Sequence, residues 1–289
     1  MRLEIFFLYV FYLIICSYAY AQNNGKFEFS IDQPMTNEEF IVALCESEES
    51  INSNYIASKI QLLKSDLSIN KKIELLLLSL DQDIKNNHPF IDKAYRLKGD
   101  YYFATHQWNK AIDCLEKSLE LENNENPDTL MKLSIAICYG RNDYQRAIAY
   151  TYDAMDVIKN NKNKYSKDKY SISLLTLCLI YFHKGDYNKA LEILDNIKDY
   201  PNVFIVRGNI YWELRDYRNA ILCWESGKSI NNPRIQIRLA YSYFMTDQYE
   251  KLKKVMNDIH EADISHNKLE LSIYLLLQHV IKMNLIEKS

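Results

Sequence analysis

Four stretches of this chain share one spelling: an aromatic residue, two polar residues, an alanine, then isoleucine or leucine. They are Trp108-Asn-Lys-Ala111-Ile112, Tyr144-Gln-Arg-Ala147-Ile148, Tyr187-Asn-Lys-Ala190-Leu191 and Tyr217-Arg-Asn-Ala220-Ile221. A worn fifth copy is Tyr249-Glu-Lys-Leu252. The aromatics stand 36, 43, 30 and 32 residues apart, a period that marks an array of one small unit. The third copy shows what the unit is. Leu174, Leu177, Cys178 and Tyr181 fall at i, i+3, i+4 and i+7, the chain turns at His183-Lys184-Gly185-Asp186, and Ala190, Ile193, Leu194 and Ile197 repeat the spacing. Two helices with facing apolar stripes make a hairpin. A lone hairpin leaves its outer side unburied, so the units must stack and the ends of the array must be capped.

Punctuation agrees with the repeat. Pro89, Pro127, Pro201 and Pro233 each stand shortly before a new helical run, where the missing N–H matters least. Gly99 and Gly208 both lie twelve residues before the repeat alanine, and Gly140 and Gly185 fall near the inter-helix turn. Gly227 falls on the packed face of a second helix by the same count. Upstream, Thr36-Asn-Glu-Glu39 spells a capping box, and helices are expected near 37–47, 51–65 and 70–86.

Met1–Ala21 differs from the rest. Arg2 precedes an apolar run, Ile5–Ile15, which ends in Ala19-Tyr20-Ala21. A short apolar run closed by Ala-x-Ala is the pattern of a secretory signal cleaved after Ala21. An uncleaved anchor and lipidation at Cys16 are the alternatives. Gln22–Pro34 reads as a flexible tether. Five cysteines remain in the mature chain, Cys45, Cys114, Cys138, Cys178 and Cys223, with no CxxC or metal-ligand spacing, and are expected as free, buried thiols. No Asn-x-Ser/Thr sequon occurs, which favours a bacterial exported protein. A net charge of −3, with both signs interspersed, favours neither nucleic acid nor an anionic membrane.

The units resemble the tetratricopeptide repeat, about 34 residues long with W-x2-L-G-x2-Y, then A-x3-F, then P. Tyr95, Gly99, Tyr102, Ala111, Leu115 and Pro127 match most of that pattern, as do Phe204, Gly208, Tyr211, Ala220, Trp224 and Pro233. The third unit has Cys178 in place of the glycine, the second has Ile135 and Thr151 at two signature sites, and the fifth loses its alanine to Leu252. The resemblance spans roughly residues 89–257. It implies an all-α fold, a right-handed α-solenoid of stacked antiparallel helical hairpins; residues 36–88 are either one or two degenerate repeat units or an N-terminal helical extension, and 258–289 a C-terminal capping helix.

No catalytic pattern is found: no G-x-G-x-x-G or phosphate loop, no H-E-x-x-H, no G-x-S-x-G and no EF-hand loop. A non-enzymatic chain without cofactor or metal is expected. The resemblance instead implies a concave groove lined by the first helix of each unit. Four residues after the glycine site stand Phe103, Tyr139, Phe182, Trp212 and Phe244, all aromatic. Ile205, Ile237 and Tyr241 should face the same way, with Asn209 beside them. Packing between neighbouring helices is the competing account of these aromatics. The basic cage that clamps a chaperone's C-terminal carboxylate is not assembled, because Arg96 comes with Asp100 and Ile205 with Asn209.

The expected function is an exported scaffold, periplasmic or on the cell surface, that holds a protein or peptide segment in this groove. Nucleic acid is not an expected partner, and membrane contact would come only through the N-terminus. The alternative is a surface-anchored accessory of an uptake or envelope-assembly complex, with rings stacked on a glycan or set against a partner subunit. Lys159–Tyr170, with five lysines, is a lengthened inter-repeat loop or a basic contact. Lys268–Glu287, with Leu275-Leu276-Leu277, is a cap that could also support self-association.

Overall fold

The computed structural model describes residues 34–47, 53–123, 125–161, 164–197, 203–227, 233–260 and 268–282. Outside them lie the expected signal 1–21, most of the expected tether, Pro201 and the last residues of the expected cap. Among the described residues there are fourteen helices and no strand. They are α1 (Asn37–Glu46), α2 (Asn54–Leu63), α3 (Ile69–Lys85), α4 (Ile91–Ala104), α5 (Trp108–Leu121), α6 (Pro127–Arg141) and α7 (Tyr144–Asn160). There follow α8 (Lys167–His183), α9 (Tyr187–Leu194), α10 (Val203–Glu213), α11 (Tyr217–Ser226), α12 (Pro233–Met245), α13 (Tyr249–Asn257) and α14 (Lys268–Lys282). None of the described helices is long and apolar enough to cross a membrane.

Helix starts follow local chemistry. Thr36 and Glu39 form the reciprocal capping box, with Glu39 N–H donating to Thr36 Oγ1 at 3.2 Å and Thr36 N–H to Glu39 Oε2 at 2.8 Å. Just before this box, the Met35 N–H donates to the Ala104 carbonyl at 2.8 Å. Pro127 and Pro233 are the first residues of α6 and α12, and the Asn126 side chain accepts from the first turn of α6.

Each repeated unit turns between its helices in one way. His106, Asn142, Gly185, Arg215 and Asp247 adopt φ of 56, 52, 83, 60 and 58°, and each stands two residues before the repeat aromatic. In four of the turns the next residue's N–H donates back five residues: Gln107 to Tyr102, Asp186 to Tyr181, Asp216 to Tyr211 and Gln248 to Tyr243, at 2.8 to 2.9 Å. These are Schellman-type helix ends. Only Gly185 occupies the left-handed region without steric cost. A Cβ built on it meets nothing within 4 Å, so Gly185→Ala should cost about 1 kcal/mol of conformational energy alone. Urea midpoints check the cost, and an unchanged or raised midpoint would contradict the left-handed turn geometry at this position.

The hairpins close because of the glycine positions. A Cβ on Gly208 would lie 2.4 Å from Trp224 Nε1, and one on Gly99 would lie 2.7 Å from Leu115 Cδ2. Without side chains there, α4 and α10 approach α5 and α11 closely enough to bury Leu115 and Trp224 completely. Gly227 is half-buried and caps the C-terminus of α11, its N–H donating to the Cys223 carbonyl.

The chain divides into two compact units, residues 21–193 and the chain from Leu194 onward. In the first, Phe40, Ile56, Leu76, Leu80 and Leu97 form one core and Leu115, Leu130, Leu133, Ile137 and Ile180 another. In the second, Trp224, Ile237, Leu239, Leu252, Ile273 and Leu277 pack together. The 43-residue repeat interval is not simply a longer loop. α7 and α8 have 17 residues each where α4 and α5 have 14, so helix absorbs much of the insertion. Lys169 of the expected basic contact is neutralised by Asp128 at 2.5 Å. Cys138 and Cys178 are buried, Cys114 and Cys223 are half-buried, and Cys45 is exposed, against expectation.

Candidate functional site

In the first unit the ends of the first helices and the starts of the second bring six rings into an unbroken row. His106 stacks on Trp108 with centroids 4.4 Å apart, and Trp108 stacks on Tyr139 at 5.4 Å. Tyr139 meets His183 edge-on at 4.4 Å, His183 meets Phe182 at 5.6 Å, and Phe182 meets Tyr187 at 5.5 Å. All six rings are half-buried. The period explains the row. Tyr139 and Phe182 end the first helices of successive hairpins, while Trp108 and Tyr187 are repeat aromatics that open second helices. Rings held on several sides by other rings lose little freedom on binding, which suits a contact surface.

Burial strongly perturbs the His183 ring. Burial pushes its pKa down to about 4, so it is neutral near pH 7. Its Nε2 lies 2.6 Å from the Tyr139 hydroxyl and can, as a neutral ring, accept the phenolic proton. The pair is a structural link between α6 and α8.

The expected groove residues separate into two groups. Tyr139, Phe182, Tyr241 and Phe244 are half-buried and keep an accessible face. Phe103, Ile205, Asn209, Trp212 and Ile237 are buried. Phe103 is 2% exposed and packs edge-on against Trp108 at 5.5 Å, so it supports the row from beneath. Trp212 is 5% exposed, with the Arg238 guanidinium 5.0 Å over its ring and Tyr241 at 6.2 Å. Asn209 accepts from Arg238 at 3.3 Å. These five positions are corrected from partner contact to packing. The competing account of the aromatics holds for Phe103 and Trp212.

A charged cluster in the second unit has no counterpart in the sequence reading. Glu270, in the first turn of α14, is 1% exposed; its carboxylate lies 3.3 Å from Arg234 Nε and 3.6 Å from an Arg238 nitrogen. Arg238 is itself 1% exposed. The residues lie 32 to 36 positions apart, beyond the reach of any local period. In the first unit Lys59, Asp83 and Tyr55 form a second buried cluster: Lys59 pairs with Asp83, donates to Ser79 Oγ at 2.7 Å, and Tyr55 donates to Asp83 at 2.7 Å. Among the described residues no three or more His, Cys, Asp or Glu side chains are grouped to hold a metal. Of the first-helix acids, Asp100 is engaged by Lys132 at 2.6 Å.

No family model matches the sequence, and no curated protein matches it. Solved structures do. The apo form of the quorum sensor NprR from B. thuringiensis superposes with a TM-score of 0.59 at 14% identity, over 84% of this chain and 80% of that one. The APC/C hetero-tetramer Cut9–Hcn1 gives 0.56 at 12% identity, over 87% of this chain and 48% of that one, so this chain spans about half the matched chain's length. NprR in complex with its cognate peptide NprX is similar at 16% identity, with a TM-score of 0.48 and coverage of 85% and 83%. At such identities the likeness shows the fold alone: stacked helical hairpins of the tetratricopeptide type.

Proposed function

We propose that this chain is a non-catalytic scaffold that holds a protein or peptide segment against the ends of its first helices. The observation that carries the reading is the row from His106 to Tyr187: six half-buried rings spread over three hairpins of one unit. Such a surface gives apolar contact with little loss of side-chain freedom, the property that makes aromatic residues dominant anchors in interfaces. Tyr241 and Phe244 offer a similar, separate surface in the second unit. The absence of catalytic motifs supports the same reading.

Export belongs to the proposal. The apolar run Ile5–Ile15 and the Ala-x-Ala ending support secretion with cleavage after Ala21, which N-terminal sequencing of the mature chain tests. The glycan alternative needs free acid or amide groups beside the rings. Asp100 and Asn209, the groups it would use, are committed to Lys132 and Arg238, so a peptide is the better-supported ligand.

A photoreactive phenylalanine analogue tests the assignment. Placed at Phe182 in the full chain and activated in the native cells, it should give a discrete polypeptide adduct. The same probe at Tyr152, which is 46% exposed on α7, should give none. Equal adducts at both positions, or none at 182, would reject the row as the contact surface.

A further inference from the structure

The chain enters the first unit at a fixed point beside the ring row. The Met35 N–H donates to the Ala104 carbonyl at 2.8 Å, and the Tyr101 hydroxyl donates to Asn37 Oδ1 at 3.0 Å. Phe40 meets Tyr101 edge-on with centroids 5.1 Å apart. Phe40 is 1% exposed and Ala104 4%, so this attachment is part of the core. Pro34, immediately before it, is exposed. Ala104 ends α4, and two residues later His106 opens the row by stacking on Trp108.

The residues that lead up to this point carry a pattern of their own. Phe27, Phe29 and Ile31 alternate with Glu28, Ser30 and Asp32. In an extended chain such alternation puts three apolar side chains on one side, with neighbours about 7 Å apart, and the charges on the other. Pro34 biases Gln33 away from helical backbone and toward extended conformations. Ile31 stands four residues before Met35 and Phe27 eight, so an extended chain carries them up to about 13 and 26 Å, at roughly 3.3 Å per residue. The first rings of the row are 4.4 and 5.4 Å apart, so Trp108 and Tyr139 fall within that span.

We propose that residues 27–31 are a tethered intramolecular occupant of the Trp108–Tyr139 end of the row, with Ile31 and Phe29 laid against those rings, and that a partner binds by displacing them. Tethering makes weak contacts sufficient. A short linker holds a segment at an effective concentration on the order of millimolar, so its apolar side chains need only a millimolar affinity for half occupancy. A partner in free solution competes against that concentration, and only one with stronger apolar anchors takes the row. The inference rests on the row being a contact surface and adds what controls access to it.

A photoreactive phenylalanine analogue at position 29 of the purified full chain tests the occupancy without altering the row. Activation should give a crosslink within one chain, placed by proteolytic fragments on Trp108, Tyr139 or their immediate neighbours. A fluorescent peptide with the sequence of residues 25–34 measures the competition. A chain carrying Phe27→Ser, Phe29→Ser and Ile31→Ser together should bind it at least tenfold more tightly than the unsubstituted chain. Crosslinks from position 29 to other surfaces, no crosslink, or equal peptide affinity of the two chains overturns the proposal. A crosslinked dimer overturns it too, by making a second copy the occupant. The scaffold reading fails separately: a polypeptide adduct at position 182 with no link from position 29 keeps the row as a contact surface and removes only its tethered occupant.

Discussion

Replacing Asp83 with alanine is expected to lower the unfolding free energy by about 3 kcal/mol, the low end of the cost of breaking a buried ion pair. Lys59 is 7% exposed and would keep its ammonium in that site beside the Ser79 hydroxyl, a neutral acceptor, and the Tyr55 ring. Tyr55, 6% exposed, would lose the acceptor for its hydroxyl. The Asp83 side chain retains 18% exposure, which places the loss at the low end. Replacing the pair together, Lys59→Met with Asp83→Leu, should restore most of the stability, because no buried charge then remains. Urea unfolding of the two single variants and the double gives the coupling. A loss below about 0.5 kcal/mol for Asp83→Ala would put the pair in the class of surface ion pairs.

The same carboxylate has a pH signature. Burial pushes its pKa up, but hydrogen bonds from Lys59 and Tyr55 outweigh burial and hold it below the ordinary carboxylate value. A depressed acid stabilises the fold above the unfolded-state pKa, near 4, and that stability disappears as pH falls through the folded value.

His183 acts at higher pH and is expected to produce the larger change between neutrality and mild acid. In the unfolded chain it titrates near 6.5, and in the fold near 4. Between those values the unfolded state binds a proton that the native state refuses, so stability falls as pH is lowered through the window. From pH 7 to pH 4.5 the loss assignable to His183 is about 2 kcal/mol, at 1.36 kcal/mol per pKa unit. Below pH 4 it adds nothing further. His183→Gln keeps an acceptor within reach of the Tyr139 hydroxyl and removes the titration. The difference between the two chains' urea-unfolding free energies should therefore open on acidification and close at neutrality. Parallel pH profiles would mean that the ring is not held neutral by burial.

The array itself was legible because it rests on local periodicity. Apolar spacing of three and four places α8 and α9, capping chemistry starts α1 at Asn37, and the repeat aromatics open α5, α7, α9, α11 and α13. The register of the second and fifth units also emerges from the backbone, where Asn142 and Asp247 take the same left-handed turn as Gly185. Depth was not legible. Phe103 and Phe182 share one repeat position, yet Trp108 and its neighbours cover the first, while the second keeps an open face. Trp212 is covered by Arg238, which arrives from the next hairpin 26 residues later. Whether a ring is a surface or a core group depends on what the neighbouring hairpin places against it. A single-unit pattern does not encode that. Glu270 illustrates the same gap: a lone acid in an apolar helix reads as an interruption, and only the arrival of Arg234 and Arg238 shows why it is there.

The proposed role stands or falls on where a captured partner lies. Hydrogen exchange of the full chain, alone and with the polypeptide crosslinked through position 182, measures this directly. The account predicts slowed exchange at the helix ends and turns that carry the ring row, around Tyr139 and His183–Tyr187, with no change around Tyr152 on α7. Protection confined to the outer surface of α7, with the ring-bearing turns unaffected, would contradict it.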